Sequence, residues 1–229
     1  MSEGHWIVNL GHNMSVNMDT LITMWIAMAV LILFAVLATR KLSLVPGTLQ
    51  TVAEKIMCFF GGLTESMIGK SGAKHVPLIA SLFLFIVTAN LMGQIPWKIY
   101  HLKQGELASP TNDINMTAGM AILVLIYYVY QGVRAKGIRY FLRSFNPIDV
   151  VEAIVELAEM VIRPFTLALR LFANILAGEL LVAAFVGIFA YFLPLPIMLF
   201  EVFVAFVQAL VFTMLATAYV ALATAEEEH

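Results

Sequence analysis

The sequence predicts an all-α integral membrane protein, with about five transmembrane helices and one interfacial amphipathic helix. Three observations carry that expectation. The 229 residues are 61% hydrophobic and only 12% charged. A soluble domain of that length has no use for so much apolar surface, so the bilayer is the solvent. The charges that do occur sit between long charge-free runs, and one segment alone alternates apolar and charged residues at helical spacing. The net charge of −2 says nothing about nucleic acid, which is not expected as a partner, and the single Cys58 excludes an internal disulfide.

Taken in order, residues 1–20 lack a basic start and a continuous apolar core, so they read as a short polar outer tail rather than a cleaved signal peptide. Leu21–Thr39 is a charge-free run that stops at Arg40-Lys41. Pro46-Gly47 opens the next segment, Thr48–Lys70. There Leu49, Val52, Ile56, Phe60, Leu63 and Met67 recur at three- and four-residue steps, while Gln50, Glu54, Lys55, Glu65 and Lys70 fall elsewhere. Such a helix suits the membrane interface, or alternatively a surface packed on the rest of the protein. The Gly61-Gly62 pair is a point where it can bend. Val76–Trp97 and Ile114–Val133 are further runs near the twenty residues that cross about 30 Å of hydrocarbon.

The last third departs from a simple count. Residues 147–191 as one straight helix would measure about 67 Å. The bilayer cannot take that upright, so this segment and 194–225 are expected to form a long, strongly tilted hairpin. The whole chain, 1–229, reads as one membrane domain. With the N-terminus outside, Arg40, Lys41, Lys55, Lys70, Lys74, Arg134, Lys136, Arg139 and Arg143 are cytoplasmic, and only Lys98 and Lys103 are external. That bias satisfies the positive-inside rule and leaves the C-terminus cytoplasmic.

Within the hairpin, charge at membrane depth needs a reason. An arginine at the centre of a helix costs about 2.5–3.5 kcal/mol on insertion scales, and it does not deprotonate. Arg170 must therefore face water, a carboxylate or a polar cavity. Glu156, Arg163, Arg170 and Asn174 share one helical stripe, widened by Glu152 and Glu159. For Arg163 and Glu159, four apart, the plainer reading is an internal salt bridge that orients the helix. Arg170 has no acid within one turn. Glu179 is nine residues on, about 13.5 Å along the axis and on the opposite face. In the final segment Glu201 and Gln208 are seven apart on a shared face. If the two segments run antiparallel with Gln208 level with Arg170, Glu201 and Glu179 meet on one side of the arginine. Paired carboxylates in a poorly solvated place raise each other's pKa, which suits proton uptake and release; the plainer alternative is that each merely accepts hydrogen bonds from its neighbours.

Other chemistry is missing. Gly69-Lys70-Ser71 imitates the end of a phosphate loop, but Thr64 stands where that loop needs its first glycine. No nucleophile–base pair, zinc spacing or haem spacing occurs, so no cofactor, no metal and no catalytic residue is expected.

Arg170-Leu171-Phe172-Ala173-Asn174 followed by Ala177-Gly178-Glu179-Leu180 resembles the signature of subunit a of the F-type ATP synthase membrane sector. The likeness extends through Val45-Pro46-Gly47 with Gln50, Asn90-Leu91-Met92 with Pro96, Pro110–Asn115, Phe145-Asn146-Pro147, Arg163-Pro164, and Gln208-Ala209 with Phe212. The resemblance implies a non-catalytic stator subunit of a bacterial plasma-membrane complex. Its partners would be a c-subunit rotor ring, a b-subunit peripheral stalk, the ATPase headpiece and membrane lipid, and its cargo H+ or Na+. It also implies residue roles: Arg170 as the essential arginine with Asn174 one turn later, Glu179 as the acid of the outer half-channel, Gln208 as its polar partner on the last helix, and Glu156 near the cytoplasmic half-channel. At the position of Glu201 some members carry histidine and others an acid. Gly93 and Lys98 stand where some members have acids, which throws more weight on Glu179 and Glu201. A self-contained transporter or ion channel is the alternative; it would favour inverted repeats, and none is visible.

Overall fold

A computed structural model describes residues 7–9, 15–93, 109–137, 147–186 and 194–225. Two three-residue strands, β1 (Ile7–Asn9) and β2 (Ser15–Asn17), pair antiparallel with Ile7 opposite Asn17. Six α-helices follow: α1 (Met18–Thr39), α2 (Thr48–Ile68), α3 (Val76–Gly93), α4 (Ile114–Lys136), α5 (Pro147–Val186) and α6 (Pro194–Thr224). Among the described residues the fold is all-α apart from that small hairpin. Among the described residues, five segments are long and apolar enough to cross a membrane: Met18–Thr39, Lys70–Gly93, Ile114–Lys136, Ile162–Val182 and Pro196–Thr224.

α1 carries Asp19 in its first turn, where the exposed N–H groups and the helix dipole favour an anion. It buries Thr23 and Ala27 but leaves Trp25, Ile32 and Leu33 more than half exposed. An apolar face this large is stable in lipid, and in water it would drive aggregation. Beyond Arg40, the Gln50 side chain clasps the linker: its Nε2 donates to the Ser43 carbonyl at 3.1 Å, and its Oε1 accepts from the Ser43 N–H at 3.2 Å.

α2 continues as α-helix through Gly61-Gly62. Its middle packs inward, Phe60 against Phe83 at 4.9 Å between ring centroids, with Ile56 and Leu63 joining the core. Leu49, Val52 and Met67, on the same apolar stripe, stay exposed. The helix therefore uses one face twice, clamping on α3 at its centre and offering apolar side chains outward near its ends. It stops at Gly69, whose φ of +85° suits glycine alone and whose N–H caps the Glu65 carbonyl. A 3-10 turn, Lys70–His75, then leads into α3.

α3 packs on α6, α1 and α2, with Ile79, Phe83, Ile86 and Ala89 buried. A second 3-10 turn, Pro110–Asn112, precedes α4, and Asp113 caps that helix by accepting from the Asn115 N–H at 2.8 Å. The same carboxylate accepts from Asn17 at 2.8 Å, tying the head of α4 to the head of α1.

α5 has 40 residues, about 60 Å of helix, twice the hydrocarbon thickness. α6 has 31. Polar residues on α6 survive burial because their hydroxyls bond back along the helix, Thr213 to the Ala209 carbonyl and Thr217 to the Thr213 carbonyl. Small Ala205, Ala209 and Ala216 on the buried face let neighbouring helices approach closely.

Candidate functional site between α5 and α6

The two faces of α5 differ sharply. Pro164, Leu167, Ala168, Leu171 and Ile175 are buried against the protein, while Thr166, Arg170, Ala173 and Ala177 line up on an exposed face. The periodicity explains this: residues 166, 170, 173 and 177 repeat at four, three and four, the step of one helical stripe. Arg170 is the one charge among these four residues, and the other three are small. Among the described residues it makes no ion pair.

Arg163 is arranged differently. It forms an ion pair with Glu159, and its guanidinium carbon stands 5.3 Å over the ring of Tyr219 on α6. The polar stripe read from the sequence is thus split: one arginine is engaged within the protein and the other is presented outward.

Farther along α5, Glu201 of α6 rests against Gly178. A Cβ at Gly178 would lie 2.5 Å from the Glu201 Oε1 and 2.9 Å from its Cδ, so glycine is the residue that lets the carboxylate in. A cavity of about 260 Å³ opens at this contact, lined by Asn174, Gly178 and Glu201 with apolar Ile175, Leu181 and Phe200. Asn174 and Glu201 are half-buried within it. Stepping seven residues along both antiparallel helices from the Gly178–Glu201 contact brings Gln208 level with Leu171, the neighbour of Arg170. Gln208 is 9% exposed, and its buried Nε2 has no hydrogen-bond partner among the described residues. Glu156 and Glu179 belong to α5 by their backbone, and their side chains lie outside the described residues. No group of three or more metal-ligating side chains occurs among the described residues.

A family profile described as ATP synthase A chain matches residues 21–221. The ATP synthase subunit a of Gloeobacter violaceus (strain ATCC 29082 / PCC 7421) is 40% identical over 217 residues, 94% of this chain and 87% of its own length. The chain belongs to the ATP synthase subunit a family. It is accordingly a multi-pass, non-catalytic membrane subunit of an F-type ATP synthase.

Buried polar residues also occur away from this cavity. Asn90, fully buried on α3, donates from Nδ2 to the Ala205 carbonyl of α6 at 3.2 Å, while its Oδ1 has no described partner. An unpaired amide oxygen in an apolar interior is costly. Asp19, Thr20, Thr23, Ser109, Thr111 and Thr117 are also buried, on α1, at the second 3-10 turn and on α4. The signal was present as polar residues at the ends of charge-free runs, but sequence periodicity does not say that they are buried. Gly178 was legible only as part of a motif, and its steric role needed the partner helix.

Proposed function

We propose that this chain is the stator ion channel of a rotary ATP synthase in the bacterial plasma membrane, with its N-terminus outside and its C-terminus in the cytoplasm. The exposed Arg170, alone on a stripe of small residues on a helix twice as long as the bilayer is thick, carries this reading. A guanidinium at membrane depth with no described acid beside it requires a counter-charge from another subunit. A rotor ring of c subunits, each bearing a carboxylate, supplies one. The bare stripe of Thr166, Ala173 and Ala177 gives the ring a smooth surface to slide past.

Mechanistically, Arg170 favours the ionised form of the passing carboxylate by lowering its pKa. It also repels a proton that tries to cross directly between the two sides. An ion must therefore board from one half-channel, ride the ring, and leave by the other. On the outer side the path uses the cavity at Glu201, Gly178 and Asn174, then Gln208. Glu179, opposite Arg170 in helical register, serves as the second outer acid, and Glu156, four turns before Arg170, serves the cytoplasmic path. Two acids at one entrance give the ion two successive places to board before it reaches a carboxylate on the ring. The translocated ion is H+, or Na+ where the ring selects it. A b-subunit stalk holds the chain against the ATPase headpiece, so that each charge moving down 100 mV contributes about 2.3 kcal/mol to rotation.

The test uses the whole complex in sealed vesicles. Arg170→Ala is expected to abolish ATP-driven pumping while passive proton conductance persists. Coupled pumping at the normal rate by that variant would refute the reading.

A further inference from the structure

Arg163 and Arg170 are seven residues apart on one continuous helix, within about 20° of the same face and about 10.5 Å along the axis. Two arginines so placed would both present themselves to a surface that slides along α5. The structure treats them oppositely. Arg170 is exposed on its stripe, whereas Arg163 pairs with Glu159 and lies 5.3 Å over the Tyr219 ring. The Arg163 side chain retains 26% of its accessibility and Glu159 keeps 49%. Tyr219 is itself steadied by Tyr128, 6.0 Å away between centroids and 1% exposed. The clamp thus runs from the α4 core through α6 to the arginine.

We propose that Glu159 and Tyr219 are positioning residues that hold Arg163 off the path of the rotor carboxylate, so that the carboxylate meets one guanidinium and not two. The inference rests on the stator reading. A free cation two turns from Arg170 would keep the carboxylate ionised beyond the point where it must exchange its proton, and would repel protons in the adjoining half-channel. Pairing with Glu159 cancels the net charge. The electron-rich face of Tyr219 fixes the guanidinium plane against α6, away from the exposed stripe.

The experiment measures ATP synthesis in proteoliposomes holding the whole complex, at fixed proton-motive force. Tyr219→Leu is expected to slow synthesis about two- to fivefold, and Tyr219→Phe, which keeps the ring, to leave the rate near wild type. Glu159→Gln, at a half-exposed site that leaves the core untouched, is expected to slow it as well. The deciding variants are Arg163→Leu combined with Tyr219→Leu, and Arg163→Leu combined with Glu159→Gln; both are expected to return to the wild-type rate, because the misplaced charge is gone. If the double variants remain as slow as the single ones, Tyr219 and Glu159 serve packing alone and the proposal is overturned. Wild-type rates in Tyr219→Leu and Glu159→Gln overturn it equally. The stator reading fails separately, through coupled pumping by Arg170→Ala, so the two failures are distinguishable.

Discussion

Gly178 and Glu201 meet closely where α5 passes α6. The glycine is an inference from the carboxylate: any side chain at 178 enters the space that the Glu201 Oε1 occupies. Gly178→Ala is therefore expected to push Glu201 into or across the cavity and to slow proton translocation about tenfold, equivalent to roughly 1–2 kcal/mol. The shorter Glu201→Asp in the same background should recover much of the rate. Acid-driven ATP synthesis by the two variants checks this, and equal rates in both would remove the steric argument. Replacing Glu179 and Glu201 together by Gln removes both titratable groups proposed for the outer path, and synthesis should then fall sharply at every pH tested. A rate that matches wild type across the pH range would exclude the relay.

Two helices, α2 and α4, stop at a glycine in the left-handed region. Gly137 ends α4 with φ of +66°, and its N–H caps the Val133 carbonyl. Gly119 lies inside the same helix, exposed, with open space where a Cβ would go. The same substitution should act with opposite sign at the two sites. Gly137→Ala strains the left-handed backbone and is expected to destabilise the subunit by about 1 kcal/mol. Gly119→Ala replaces a poor helix former by the best and should stabilise by up to about 1 kcal/mol. Thermal melting of the detergent-solubilised complex measures both shifts, and a common direction would contradict the assignment. α2 teaches a related lesson. Its apolar spacing is plain in the sequence, but the spacing alone left open whether the stripe faces lipid or protein. The structure divides the stripe, because Phe60 packs on Phe83 while Leu49 and Met67, nearer the ends, stay exposed.

For the molecule as a whole, the proposed orientation makes a sharp prediction. Cys58 is the one cysteine, and it is exposed on α2, the segment that follows the Arg40-Lys41 end of the first span. With the N-terminus outside, a membrane-impermeant maleimide should label Cys58 in inverted vesicles and leave it unmodified in right-side-out ones. Labelling from the opposite side would invert the topology and exchange the two half-channels. The chain's purification behaviour tests its partnership. Affinity capture of this subunit should bring down a c ring and ATPase activity, whereas a self-contained transporter would be active alone.

The membrane class and the number of candidate spans were legible in the linear sequence, because both depend on a local quantity, the run length of apolar residues. The different surroundings of the two arginines were not legible. Arg163 and Arg170 share a helical face, and what separates them is Tyr219, 56 residues from the first and on another helix. The Gly178–Glu201 contact and the Asn90 bond to the Ala205 carbonyl are of the same kind. Each depends on how far one helix is slid along its neighbour and how each is turned about its own axis. Periodicity within a helix carries neither quantity; they are set by the packing of α3, α5 and α6 against one another.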